Sequence, residues 1–199
     1  MSAQQPNLFG APEEDLPEGM AYRRDLIGPD EEAALAAIMA DLPFAPFQFH
    51  GFEGNRRTIS YGWHYAFDGS GLHEAAPIPD WLQPVREKAA AFAGVPASAL
   101  EHVLLIEYAP GAGIGWHRDR PAFGDVIGVS LLAPARLRFR RKPVLSGVEG
   151  VGAKWERRNV VAEPRSAYLL RGPARSEWEH SIPAMEALRY SITFRTLRK

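Results

Sequence analysis

The chain has 199 residues, 46% of them hydrophobic and 24% charged, which is ordinary for one soluble globular domain with a sizeable core. Cysteine is absent, which excludes disulfides, thiolate ligands and cysteine nucleophiles, so any bound metal is held by nitrogen and oxygen. The net charge of −1 hides an imbalance: residues 1–100 carry 6 Lys+Arg against 14 Asp+Glu, and residues 101–199 carry 17 against 10. The basic later half suits either a polyanionic partner or a solvated charged face.

In chain order, the start has no basic n-region or apolar run, and no later stretch is long and apolar enough to span a bilayer. The expected protein is a cytoplasmic monomer. Residues 1–20 are rich in Pro, Glu and Gly and read as a flexible arm ahead of one domain over 21–199. Within the arm, "QPNLF" (Gln5 to Phe9) resembles the short peptides by which bacterial repair and replication proteins dock on the sliding clamp. "GPDEEAALAAIMADLP" predicts a helix capped by Asp30, with Leu35, Ile38, Met39 and Leu42 as its buried stripe. "NRRTISYGWHYAF" is aromatic and β-branched, and predicts a strand pair or hairpin before "DGSG". "PDWLQPVREKAAAFAG" predicts a second helix from capping Asp80 to Gly94, burying Trp81, Leu82, Val85, Ala89 and Phe92.

From Ala99 the texture changes to short strands with turn punctuation: "HVLLIEY", "APGAGIGWHRD", "DVIGVSLL", "ARLRFRR", "SAYLLRG", "EWEHSI" and "RYSITFRTL". Helices followed by a run of strands predict an α+β fold, with helices over residues 21–98 packed on an antiparallel sandwich or barrel over 99–199. "KPVLSGVEGVGAKWERRNVV" predicts a hairpin or loop excursion.

Chemistry concentrates in three of these strands. In "GWHRDR" an extended backbone points His117 and Asp119 to one side and Trp116, Arg118 and Arg120 to the other, giving half of a metal site. "EWEHSI" turns Trp178, His180 and Ile182 inward and Glu177, Glu179 and Ser181 outward, so His180 is either a third ligand or a satisfied core residue. Two imidazoles and one carboxylate form the facial triad associated with non-haem Fe(II). In "RYSITFR" Arg189, Ser191, Thr193 and Arg195 share a wholly polar face that meets solvent or lines a cavity, while Tyr190, Ile192 and Phe194 share the other. At about 3.3 Å per residue the two arginines stand roughly 20 Å apart on a straight strand and hold different groups.

"YAPGAGIGWHRDRPAFGDVIGVSL", "RSAYLLRGPARSEWEHSI" and "RYSITFR" together resemble the AlkB family of Fe(II)- and 2-oxoglutarate-dependent dioxygenases, over roughly residues 100–199 with a looser match over 20–99. The resemblance implies a double-stranded β-helix (jelly roll) core with buttressing N-terminal helices and an N-terminal lid. It implies His117, Asp119 and His180 as both iron ligands and catalytic centre, and Fe(II), 2-oxoglutarate and O2 as cofactor and co-substrates. It also implies Arg189 on the distal carboxylate of 2-oxoglutarate, Arg195 nearer the iron, and Tyr108, Ser191 and Thr193 along the co-substrate. Alkyl groups on nucleobases in DNA or RNA would leave as formaldehyde, with succinate as co-product. Three positions depart from the family pattern: Ile106 and Ser191 stand where Asn is common, and Pro121 where an acid reads the base in some relatives.

On the substrate side, Arg56, Arg57, Tyr61 and Trp63 either hold phosphate and stack a flipped base or form an aromatic hairpin packed on the core. Trp116, Arg118 and Arg175 are the further candidates at the mouth. Two other readings stand beside nucleobase dealkylation: the same iron site acting on a protein or small molecule, and a non-catalytic jelly-roll binding module.

Overall fold

The computed structural model describes residues 15–49, 52–66, 69–142 and 154–198. The clamp-like segment over residues 5–9 lies outside the described residues. Thirteen strands are described: β1 (Met20–Arg23), β2 (Ala45–Phe49), β3 (Phe52–Tyr61), β4 (Trp63–Ala66), β5 (Gly71–Glu74), β6 (His102–Tyr108), β7 (Ile114–His117), β8 (Phe123–Leu131), β9 (Ala135–Arg141), β10 (Glu156–Ala162), β11 (Ala167–Leu170), β12 (Glu179–Ile182) and β13 (Arg189–Leu197). Three α-helices accompany them: α1 (Pro29–Ala40), α2 (Gln83–Ala93) and α3 (Gly172–Ser176).

A 7-stranded sheet in the order β1-β11-β8-β13-β6-β3-β2 faces a 4-stranded sheet in the order β10-β9-β12-β7. Their pairings are antiparallel. The core between them takes Ile106, Tyr108, Val126 and Leu170 from the larger sheet and Leu137, Phe139, Val160 and Ile182 from the smaller. On its other face the larger sheet packs Val103, Leu105, Ile127, Val129 and Ile192 against Leu35 and Met39 of α1 and Val85 and Ala89 of α2. This is the expected jelly roll buttressed by helices.

Strand β13 shows why the period of two carries information. Tyr190, Ile192 and Phe194 enter the core under the helices, as their parity requires. The opposite face, Arg189, Ser191, Thr193 and Arg195, is buried as well, with Arg189 at 0% exposure. A sheet covered on both sides leaves no solvent for that polar face, so it lines the interior.

Several local expectations are corrected. The N-cap of α1 is Gly28, with Pro29 opening the helix, so Asp30 sits in the first turn rather than capping it. Ile38 is 38% exposed, because α1 buries only the Leu35 and Met39 ridge against the sheet. A 3-10 turn over Asp80–Leu82, entered from Pro79, precedes α2, so Asp80 caps neither element, while Gly94 ends α2 in the left-handed conformation as expected. Residues 15–20 of the expected arm are among the described residues. The Ala174 and Arg171 N–H groups donate to the Glu18 and Gly19 carbonyls, and Met20 opens β1 with its side chain in the inter-sheet core.

The expected hairpin over residues 55–67 is two separate pairings. β3 joins the larger sheet between β2 and β6, and β4 pairs with β5. Gly62 breaks the run between them: its φ is +74°, and a Cβ there would lie 2.0 Å from the Glu101 carbonyl oxygen. Within the excursion after β9, Glu156–Ala162 form β10, which pairs antiparallel with β9.

Candidate metal centre and cavity

Strand pairing brings the separated residues together. β7 ends on His117, and β12 lies beside it with His180 directly opposite, their ring centroids 4.2 Å apart. Asp119, two residues beyond His117, places Oδ2 3.7 Å from His180 Nε2. The ligand atoms of His117, Asp119 and His180 lie within 4.8 Å of one another. Ser181, expected to point outward, is fully buried on the far side of β12, where its hydroxyl accepts from Arg138 Nε at 3.0 Å.

The electrostatics suit a cation. His117 Nδ1 lies 2.9 Å from the Gly115 carbonyl oxygen, which can only accept, so that nitrogen carries the proton and Nε2 keeps its lone pair. Burial pushes His117 down and, with the neighbouring His117 imidazole, pushes His180 down to about 3, so both rings are neutral at physiological pH. Burial alone would raise Asp119. Arg195, the two imidazoles and Arg175 outweigh it and hold the carboxyl well below the usual carboxylate range. Arg195 Nη2 donates to Asp119 Oδ1 at 3.1 Å, and Nη1 lies 3.3 Å from Nδ1 of His102, which burial and Arg195 likewise hold neutral.

These shifts set a pH dependence. The native pKa values of His102, His117 and His180 lie below 6.5, so below that pH the unfolded chain binds protons that the native state refuses. The thermal midpoint of the metal-free protein is expected to fall steadily as the pH drops below about 6.5 toward 4. A flat profile across that window would contradict the burial of neutral imidazoles.

Deeper in the sandwich, Arg189 donates from Nε to Ser130 Oγ at 3.0 Å, while its Nη1 and Nη2 are buried without a partner among the described residues. The guanidinium stands 5.1 Å from the Tyr108 ring centroid. A buried planar cation with two donors unpartnered among the described residues matches a carboxylate. Ser191 Oγ and Thr193 Oγ1, 3.4 Å apart, continue that face toward Arg195.

Sequence reasoning missed Tyr168 on β11. Its ring lies over Gly128, where a Cβ would meet Tyr168 Cζ at 2.2 Å, and it lines the cavity near Arg189, Tyr108 and Asp119. Burial raises its phenol to about 12, so it stays a neutral donor. Gly128→Ala is expected to destabilise the protein by about 1–3 kcal/mol, and Tyr168→Ala in the same chain to recover most of that loss. Additive losses in a denaturant double-mutant cycle would show that the two positions are not in steric contact.

The cavity has a volume of about 1390 Å³, and Asp119 is the single carboxylate among the described residues lining it. Of the substrate-side candidates, Arg56, Trp116 and Arg118 line it. Arg57 and Tyr61 do not. Alternate residues of β3 face opposite sides, so Arg56, Thr58 and Ser60 point into the cavity, whereas Arg57 pairs with Glu107 at 2.7 Å and Tyr61 packs against the helix-side core. Trp63 precedes the β4 residues that reach the cavity, His64, Tyr65 and Ala66. Arg175 is 6% exposed and donates to the Arg120, Phe123 and Gly124 carbonyls, so it braces the loop behind Asp119 rather than flanking the mouth. The parity test that sorted β13 would have separated Arg56 from Arg57 and Tyr61. Nothing local announces Tyr168 or the carbonyls around Arg175.

A jelly roll with two imidazoles and a carboxylate converging in its hollow defines an oxygenase-type metal site. The description "2OG-Fe(II) oxygenase superfamily" matches residues 47–195, and the chain belongs to that superfamily. Membership makes the chain an oxidoreductase with Fe(II), 2-oxoglutarate and O2 as cofactor and co-substrates. It is 28% identical over 144 residues, 64% of this chain and 42% of the other, to the "Alkylated DNA repair protein ALKBH8 homolog" of Arabidopsis thaliana. It is 41% identical over 53 residues, 27% of this chain and 23% of the other, to the "Probable RNA/DNA demethylase ALKBH6" of Danio rerio. The chain thus spans less than half the length of these curated relatives. The solved structure of OsALKBH1 superposes with a TM-score of 0.64 at 15% identity, covering 91% of this chain and 99% of that one, and shows the shared fold. No described helix is long and apolar enough to cross a membrane.

Proposed function

We propose that this chain removes alkyl groups from nucleobases in DNA or RNA, with His117, Asp119 and His180 holding Fe(II) and with Arg189, Tyr108, Thr193 and Arg195 contacting 2-oxoglutarate. The chemistry that bound Fe(II) and 2-oxoglutarate supply, with O2, is oxidation of an alkyl carbon on nitrogen coupled to decarboxylation of 2-oxoglutarate to succinate; the hydroxylated carbon then leaves as formaldehyde.

The protein's own part is to prepare the site. Gly115 fixes the tautomer of His117, Arg195 keeps Asp119 ionised, and Arg189 offers its free nitrogens to the distal carboxylate of the co-substrate. Tyr168 offers a neutral hydroxyl to the same cavity that Ile106 lines.

One observation carries the substrate reading. Around the triad the cavity is rimmed by Arg56, Arg118 and Arg120 and by the flat rings of Tyr65 and Trp116, with no carboxylate but Asp119 among the described lining residues. Such a lining suits a phosphate-bearing strand with a base turned inward to stack. The likeness to proteins named for alkylated-DNA repair and RNA/DNA demethylation supports the same reading. The test is formaldehyde release from methylated single- and double-stranded DNA and RNA, run beside methylated peptides. Release from at least one nucleic acid is expected, and release from peptides alone would overturn the proposal.

A further inference from the structure

The outer face of the smaller sheet carries charge that the cavity does not use. On β9, Leu137 and Phe139 point into the core, so Arg136, Arg138 and Arg140 point out. On β10 the outward residues are Arg157, Asn159 and Val161, and the register sets Arg157 directly beside Arg140 and Asn159 beside Arg138. Like charges at facing positions cost stability, and the acids among the described residues lining the depression on this side are Glu177 and Glu179. Glu179 neutralises Arg140 at 2.7 Å, while the exposed side chains of Arg136 and Arg157 make no ion pair among the described residues.

Two tryptophans lie among these cations. The Trp116 centroid is 4.3 Å from the Arg140 guanidinium and 5.2 Å from that of Arg138, and the Trp155 centroid is 4.4 Å from Arg140. Arg118, Arg140, Lys142, Trp155, Glu177 and Glu179 line a shallow depression of about 600 Å³. Arg118 also lines the main cavity, so the depression and the cavity mouth are continuous.

We propose that this face is a track for a single-stranded nucleic acid, whose phosphates lie along Arg136, Arg157 and Lys142 and whose bases stack at Trp155, leading the strand past Arg118 to the cavity. Unpaired cations interleaved with flat rings are the chemistry that binds such strands with little regard to sequence. An acidic protein would match the charge and leave the rings without a function. The inference rests on nucleic acid being the substrate, but Arg136 and Arg157 lie on the outward face of the smaller sheet, opposite the face that holds His117 and His180.

The test uses fluorescein-labelled unmethylated DNA and RNA strands of about 16 nucleotides and the full chain, with Arg136→Glu/Arg157→Glu and, as a milder pair, Arg136→Gln/Arg157→Gln. Reversal is expected to weaken strand binding by about tenfold or more and to flatten the slope of log affinity against log salt by about 2, while 2-oxoglutarate turnover without substrate is unchanged. Trp155→Ala should weaken binding at every salt concentration while leaving the slope unchanged. Equal affinity of the reversed and wild-type chains, or polyglutamate competing as well as the strands, would overturn the track. Weakened binding without formaldehyde from any nucleic acid would sink the substrate proposal and leave the track standing; formaldehyde from nucleic acid with binding unaltered in the variants would do the reverse.

Discussion

Arg189→Ala is expected to raise the KM for 2-oxoglutarate by about 30-fold to 5,000-fold while Fe(II) still binds. The side chain is fully buried, its Nε is spent on Ser130, and its two Nη atoms face the interior with no partner among the described residues. Removing one member of a buried, hydrogen-bonded charge pair costs about 2–5 kcal/mol, which converts to that range. Arg189→Lys keeps the charge but loses the planar fork, so it should recover only part of the loss. An unchanged KM in Arg189→Ala would place the co-substrate elsewhere.

His180→Ala is expected to abolish turnover. Loss of an outer partner of a metal ligand costs about 10-fold to 100-fold, and the loss of a ligand itself should exceed that. The effect should not depend on 2-oxoglutarate concentration, which separates it from Arg189→Ala. A thermal melt of the metal-free variant separates a lost ligand from a lost fold: the penalty for keeping His180 neutral below pH about 6.5 goes with it, so a folded variant should melt cooperatively with a midpoint that falls less steeply with acid. Residual turnover within tenfold of wild type would remove His180 from the metal site.

The triad and the strand series were legible in the sequence because each depends on a short-range rule. Alternation turns His180 inward and separates the polar face of β13 from Tyr190, Ile192 and Phe194, leaving solvent or a cavity for that face, and the family resemblance gathers His117, Asp119 and His180 into one set. The structure adds the register of β12 against β7, which sets His180 opposite His117. The lid residues were harder because parity has to be anchored to a face. In β3 the choice of face sends Arg57 to Glu107 and Arg56 to the cavity, and Gly62 then ends the alternation before Trp63. Arg175 looked like a surface cation because its partners are backbone carbonyls more than fifty residues away, which no residue type announces. Ile38 illustrates the opposite failure. An apolar residue at a helical spacing was counted as core, yet the sheet meets only one ridge of α1.

The convergence of three side chains, from two strands and the turn after β7, to within 4.8 Å of one another would hold a single ferrous ion, with the Arg189 guanidinium left for 2-oxoglutarate. Its most direct test is an anaerobic titration of the purified chain with Fe(II) and 2-oxoglutarate, followed by visible absorption. A charge-transfer band that saturates at one iron per chain, disappears in His180→Ala, and returns in Arg189→Ala only at much higher 2-oxoglutarate is the predicted result. A band of undiminished strength in His180→Ala, or none in the wild type, would contradict it.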